Sequence, residues 1–123
     1  MTDAEQNKRT VESFVRLAFA ERQPAEAVAK YVGPTYINHN PRAKDGPESF
    51  VGFVSAFPQL ILEPKRFVAE GDLVVMHSRM AMSPDDRGKA SVDIFRLADG
   101  KIVEHWDVQQ DIPDTAANDN GMF

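Results

Sequence analysis

Asp93 is the residue whose type least fits its setting. In the run SVDIFRLADGKIVEHWDVQQ, Asp99-Gly100 is a strong signal for a two-residue hairpin turn. Such a turn pairs Ala98 with Lys101, Phe95 with Glu104 and Asp93 with Trp106. Side chains alternate between the faces of a strand. One face therefore holds Asp93, Phe95, Leu97, Ile102, Glu104, Trp106 and Val108, and the other holds Val92, Ile94, Arg96, Val103, His105, Asp107 and Gln109. A carboxylate beside Phe95 and Trp106 either meets a hydrogen-bond partner as a structural residue or faces a cavity, where it can serve as a general acid or base.

Two histidines could assist it. His77 lies mid-strand in LVVMHSRMAM, on a face with Leu73, Val75 and Arg79, and imidazole titrates near working pH. His39 sits between Asn38 and Asn40 just before Pro41, a junction where polar side chains either line a pocket mouth or stabilise a turn. His105 and Asp107 fall on the opposite hairpin face and read as surface or subunit contacts. A metal site is not expected, because no HxxxH or HExxH spacing occurs and each histidine belongs to a different segment. Phe53 and Phe57 belong to an aromatic helix stripe that is core first and pocket wall second.

The elements that must position these groups follow from periodicity. Thr2 and Glu5 stand at capping-box spacing ahead of Val11, Phe14, Val15 and Ala18, which predicts a helix over 3–21. Pro24 opens a shorter helix with Val28, Ala29 and Val32 as its stripe, and Gly33-Pro34 stops it. A short extended piece, Thr35 to Pro41, leads into a polar loop. Pro47 then starts a third helix bearing Phe50, Phe53, Val54 and Phe57, and Pro58 ends it. From Leu60 the period becomes 2, giving strands at about 60–69, 72–82, 89–98 and 101–110. Helices followed by a strand meander make one α+β domain over residues 1–123. The tail DIPDTAANDNGMF is polar but ends in Met122-Phe123, which can pack.

Composition bounds the rest. The 123 residues carry 14 Lys+Arg against 19 Asp+Glu, a net charge of −5, and the basic residues form no patch, so nucleic-acid binding is not expected. No apolar run reaches the roughly 20 residues of a membrane span. Cys is absent, which excludes disulfides and thiolate chemistry and suits a reducing cytoplasm. The polar start MTDAEQNKR shows no secretory h-region. There is no GxGxxG or GxxxxGK[ST], so nucleotide binding has no support.

The segments YINHNPRAKDGPESFVGF, EGDLVVMHSRM, VDIFRLADGKIVEHWDVQQ and AANDNGMF resemble the SnoaL-like proteins, polyketide-cyclase relatives within the NTF2-like superfamily. The resemblance runs from about Tyr31 to the C-terminus. It implies a cone-shaped α+β barrel with three helices on a strongly curved antiparallel sheet, a deep apolar pocket, and a homodimer formed through the outer sheet face. It also implies a cofactor-independent enzyme that acts on a small hydrophobic carbonyl compound by proton transfer, in aldol-type cyclisation or isomerisation. By resemblance, Asp93 takes the acid/base role with His77 and His39 in support, and Asp107 in the same hairpin is the competing carboxylate. Tyr36, Phe53, Phe57, Phe95 and Trp106 are the expected substrate contacts. A non-catalytic ligand-binding or dimeric scaffold protein of the same fold is the alternative.

Overall fold

The computed structural model describes residues 3–123. Helix α1, Ala4–Val15, is capped by Asp3, whose carboxylate accepts the Gln6 N–H at 3.1 Å; the expected Thr2 cap lies outside the described residues. Its apolar stripe Val11, Phe14 and Val15 is buried, as is Ala18 beyond it. The helix is not uniform to residue 21. Arg16–Ala20 form a π-helical turn, whose wider winding brings residues five apart onto one side. Phe14 and Phe19 consequently both reach Phe50, with ring centroids 5.3 and 5.6 Å away.

Helix α2, Pro24–Tyr31, carries Pro at its start and buries Ala27; of the expected Val28-Ala29-Val32 stripe, Val28 and Val32 pack partly buried against the core and Ala29 is exposed. Val32 already belongs to β1, Val32–Asn38. Helix α3, Glu48–Ala56, follows Pro47. Its last carbonyls are not closed by a glycine. Instead the Arg22 guanidinium donates to Val54 O and Phe57 O, both at 3.0 Å. Because charge-assisted hydrogen bonds are the stronger ones, Arg22→Ala should cost about 1.5–3 kcal/mol, read as a lower urea midpoint with an unchanged m-value.

The strands are β2 (Ile61–Glu70), β3 (Leu73–Ala81), β4 (Lys89–Ala98) and β5 (Lys101–Asp111), within a residue or two of the sequence expectation. They form one five-stranded sheet in the order β1-β5-β4-β3-β2. This sheet is mixed rather than wholly antiparallel, because β1 joins β5 in parallel. It also stays open, with β1 and β2 as its edges. At the hairpin Asp99 and Gly100 have φ of 53° and 77°, the positive values that a two-residue turn of this kind requires.

The register of that hairpin differs from a uniform count. Leu97 pairs with Ile102, but Arg96 pairs with Glu104, Phe95 with His105 and Asp93 with Asp107. Val103 is the extra residue of a β-bulge, and a one-residue slip exchanges the faces of everything beyond it. His105, Asp107 and Gln109 therefore join Ser91, Asp93 and Phe95 on the inner face, while Glu104, Trp106 and Val108 turn outward. The inner face packs on the helices through Phe14, Tyr36, Val74, Met76, Phe95, Leu97 and Ile102. Among the described residues no helix is long and apolar enough to cross a membrane.

Candidate functional site

Between the helices and the inner sheet face lies a cavity of about 380 Å³, walled by Phe14, Phe19, Phe50 and Phe53 from the helices and by Leu62, Met76 and Phe95 from the sheet. Its polar wall comes from alternating positions of two paired strands, Ser91 and Asp93 of β4 against Asp107 and His105 of β5. Asn38 and Asn40, at the end of β1 and just beyond it, complete the group. A largely apolar cleft with a few convergent polar side chains is the usual form of a small-molecule site.

Asp93 and His105 are joined directly. The His105 Nε2–H donates to Asp93 Oδ1 at 2.8 Å, and the Ser91 hydroxyl donates to Asp93 Oδ2 at 3.0 Å. On the other side of the ring, Nδ1 lies 3.4 Å from Asn38 Oδ1, an oxygen that also accepts the Asn40 N–H at 3.0 Å. Both ring nitrogens thus face acceptors. The contact at Nε2 orients the Asp93 carboxylate toward the cavity. Asp107 is the second carboxylate, 3.8 Å from His105 Nε2, and Asn40 Nδ2 donates to both its oxygens at 3.0 Å. The side chains of His105, Asp93 and Asp107 are only 12%, 16% and 14% exposed. Their ligand atoms lie within 4.8 Å of one another, so this set could hold a metal ion, an arrangement that the spacing of histidines along the chain does not announce.

Tyr36 is buried against this cluster, its ring stacked near His105 with centroids 6.3 Å apart. Burial first, and then the negative charges of Asp93 and Asp107, push its hydroxyl well above the ordinary phenol value. It remains a neutral O–H donor at any ordinary pH.

The expected site residues divide. Asp93, Tyr36, Phe53 and Phe95 line the cavity. His77, His39 and Trp106 do not. The face of β3 that points inward is Val74, Met76 and Ser78, so His77 is on the outer face, beside Val92 in register, with Arg66 against its Nδ1 and the Phe123 ring 5.3 Å away. The tail end thus packs, as its apolar residues suggest. The Val103 bulge puts Trp106 outside, where the His39 ring lies parallel on it at 4.8 Å. Phe57 is 40% exposed and packs its ring on Phe53, with centroids 5.3 Å apart. In place of the two expected histidines, the inward imidazole is His105. The available signal was the adjacent pair Ile102-Val103, which interrupts strict alternation just before EHWD.

On the outer face Glu104 accepts from His39 and from Arg96, and these donors, His39 foremost, hold its carboxyl below the ordinary value of 4.5. The folded chain therefore binds this proton less tightly than the unfolded chain, so the stabilisation is present above the ordinary value and is lost as pH falls through the lowered one. Glu104→Gln should unfold more easily than wild type at neutral pH, and the gap should close in acid, as measured by urea midpoints between pH 3 and 7.

The SnoaL-like domain family profile matches residues 11–105. No curated protein matches the sequence. Among solved structures, a proposed ketosteroid isomerase from Kribbella flavida superposes with a TM-score of 0.76 at 16% identity, covering 96% of this chain and 87% of that one. A proposed SnoaL-like polyketide cyclase from Jannaschia gives a TM-score of 0.63 at 26% identity over 86% of each chain. A proposed polyketide cyclase from Acidithiobacillus ferrooxidans gives 0.67 at 19% identity, covering 89% and 91%.

Proposed function

The chain belongs to the SnoaL-like domain family, and from that premise we propose that it is a small enzyme that moves a proton on a hydrophobic carbonyl compound, in aldol-type cyclisation or isomerisation. The observation that carries this reading is the Asp93–His105 pair, 2.8 Å apart in the polar wall of an otherwise aromatic cavity. The family and the similar folds of a proposed ketosteroid isomerase and proposed polyketide cyclases support it.

Asp93, oriented by the His105 Nε2–H at Oδ1 and the Ser91 hydroxyl at Oδ2, takes the proton from the carbon next to the carbonyl and, as the carboxylic acid, later returns it to the product carbon in isomerisation or to the new alkoxide in aldol closure. As the enolate forms, its oxygen gains negative charge, and the neutral Tyr36 hydroxyl donates to it. That contact strengthens in the transition state, which is what makes it accelerate the step rather than merely hold the substrate. The Phe14, Phe19, Phe50 and Phe53 rings bind the apolar body of the substrate and exclude water. Asp107, clasped by Asn40, stands near the same ring nitrogen as a second carboxylate. The protein is expected to work in the cytoplasm as a homodimer.

Proton exchange tests this without knowledge of the natural substrate. A panel of hydrophobic cyclic and aromatic ketones is incubated with the protein in D2O, and deuterium uptake at the α-carbon is followed by NMR. Uptake above the buffer rate is the expected result. Ligands that raise the unfolding temperature without any exchange would instead identify a binding protein, since a ligand at 100 times its Kd stabilises by about 2.7 kcal/mol.

A further inference from the structure

The segment Asn38-His39-Asn40 grips β5 from both sides of the sheet. On the inner side Asn38 meets His105 and Asn40 holds Asp107. On the outer side His39 Nε2 lies 2.7 Å from Glu104 Oε2, and its ring lies flat on Trp106, with centroids 4.8 Å apart and an interplanar angle of 0°. Between the two sides the His39 N–H donates to His105 O at 2.9 Å. Alternate residues of one segment therefore clasp alternate residues of the other, 38 and 40 with 105 and 107, and 39 with 104 and 106.

Backbone pairing with β5 stops within this segment. β1 ends at Asn38, where Ile37 and Asn38 pair with Glu104 and His105 after an irregularity between Val32 and Ile37, and a turn begins at Pro41. Beyond the grip on β5, the contacts that hold it are local, such as Asp45 Oδ1, which accepts the Asn38 N–H at 2.9 Å. Glu104 is itself fixed, since Oε1 accepts from Arg96 Nε at 2.7 Å across the β4–β5 pair. His39 thus docks the end of β1 onto an anchored carboxylate and an indole.

We propose that His39 is a positioning residue: its contact with Glu104 and Trp106 on the outside of the sheet sets where Asn38 and Asn40 place their amides on the inside, and through them the orientation of His105 and Asp107. The importance of that placement for turnover rests on the function proposed above; the mechanical coupling does not. A residue with no access to the cavity would in this way govern the cavity's polar wall.

NMR of 15N-labelled protein reads the coupling directly, through the Asn40 side-chain amide and the His105 ring nitrogens. In H39F a ring remains for Trp106 but no donor remains for Glu104. Both sets of signals should shift, and the Asn40 amide protons should exchange about fivefold faster, as expected for loss of a hydrogen bond worth about 1 kcal/mol. H39A should behave alike. H39Q, whose side-chain amide can donate to Glu104 but does not stack on Trp106, should move the signals most of the way back to wild type. Thermal unfolding of each variant checks that the fold persists. Unchanged Asn40 and His105 signals in H39F would overturn the proposal, and so would equal displacement in H39Q and H39F. Because these signals need no substrate, a failure of ketone exchange would overturn the proposed reaction and leave this coupling standing.

Discussion

Asp93→Asn is expected to lower α-proton exchange on any accepted ketone by about 10²–10⁴-fold, with KM little changed and the fold intact. Asn matches Asp in size, and its carbonyl oxygen can still accept the His105 Nε2–H that now lies 2.8 Å from Oδ1. Its NH2 can turn to the Ser91 hydroxyl, which is able to accept as well as donate. The substitution therefore removes one capacity, that of taking a proton, and preserves the arrangement around it. A loss confined to kcat would mark an interaction made only in the transition state. His105→Gln should produce a comparable fall, and the double variant should be hardly worse than either single one, since residues that act as a unit are not additive. Asp107→Asn provides the discriminating control. Both carboxylates approach His105 Nε2, at 2.8 Å for Asp93 and 3.8 Å for Asp107, and the direct contact is the reason for assigning the base to Asp93. If Asp93→Asn exchanged at the wild-type rate while Asp107→Asn did not, the base would be Asp107, held ready by Asn40.

How much of this site could be read from the chain turns on one bulge. The Asp99-Gly100 turn, the spans of β2 to β5 and the amphipathic helices are local features, set by positive φ at two residues and by the period of apolar side chains, and they emerge from the sequence within a residue or two. Asp93 is legible for the same reason, as a carboxylate on the face that holds Phe95. The partner of Asp93 is not, because Val103 inserts into β5 and inverts every later residue, so that His105 and Asp107 exchange places with Glu104 and Trp106. Whether Ile102-Val103 marks a bulge or two ordinary strand residues depends on what each packs against, and that is a tertiary matter. Val103 approaches Gly33 of β1 so closely that a Cβ there would lie 2.9 Å from Val103 Cγ1. The parallel docking of β1 is itself non-local, and a strand containing Gly33 and Pro34 carries a weak propensity signal. The same holds for His77, whose neighbours Val75 and Met76 are both apolar, so that alternation in LVVMHSRM does not say which face is buried. The π-helical turn after Val15 is likewise set by packing, with Phe14 and Phe19 both reaching Phe50.

Tyr36→Phe tests the other half of the reaction and has a second, independent readout. If the hydroxyl donates to the enolate oxygen, its removal should reduce kcat by about 10²–10³-fold, the range found when one donor to a developing oxyanion is deleted, with the cavity wall otherwise unchanged because the ring remains. The same hydroxyl should shape stability in alkali. Its proton is held more tightly in the folded chain than in the unfolded one, through burial and through the charges of Asp93 and Asp107. Below the ordinary phenol value of 10.0 both states keep the proton and the pH has no effect through this group. Above it the unfolded chain releases the proton while the folded chain does not, so the wild type loses stability with rising pH, at up to about 1.4 kcal/mol per pH unit for a single group. Tyr36→Phe lacks that loss. Urea midpoints measured from pH 9 to 11 should therefore fall more steeply for the wild type than for the variant, and other alkaline titrations cancel in the comparison. Parallel curves would mean that the hydroxyl is free to ionise, and a phenol that ionises freely beside Asp93 and Asp107 is not the neutral donor that the enolate requires.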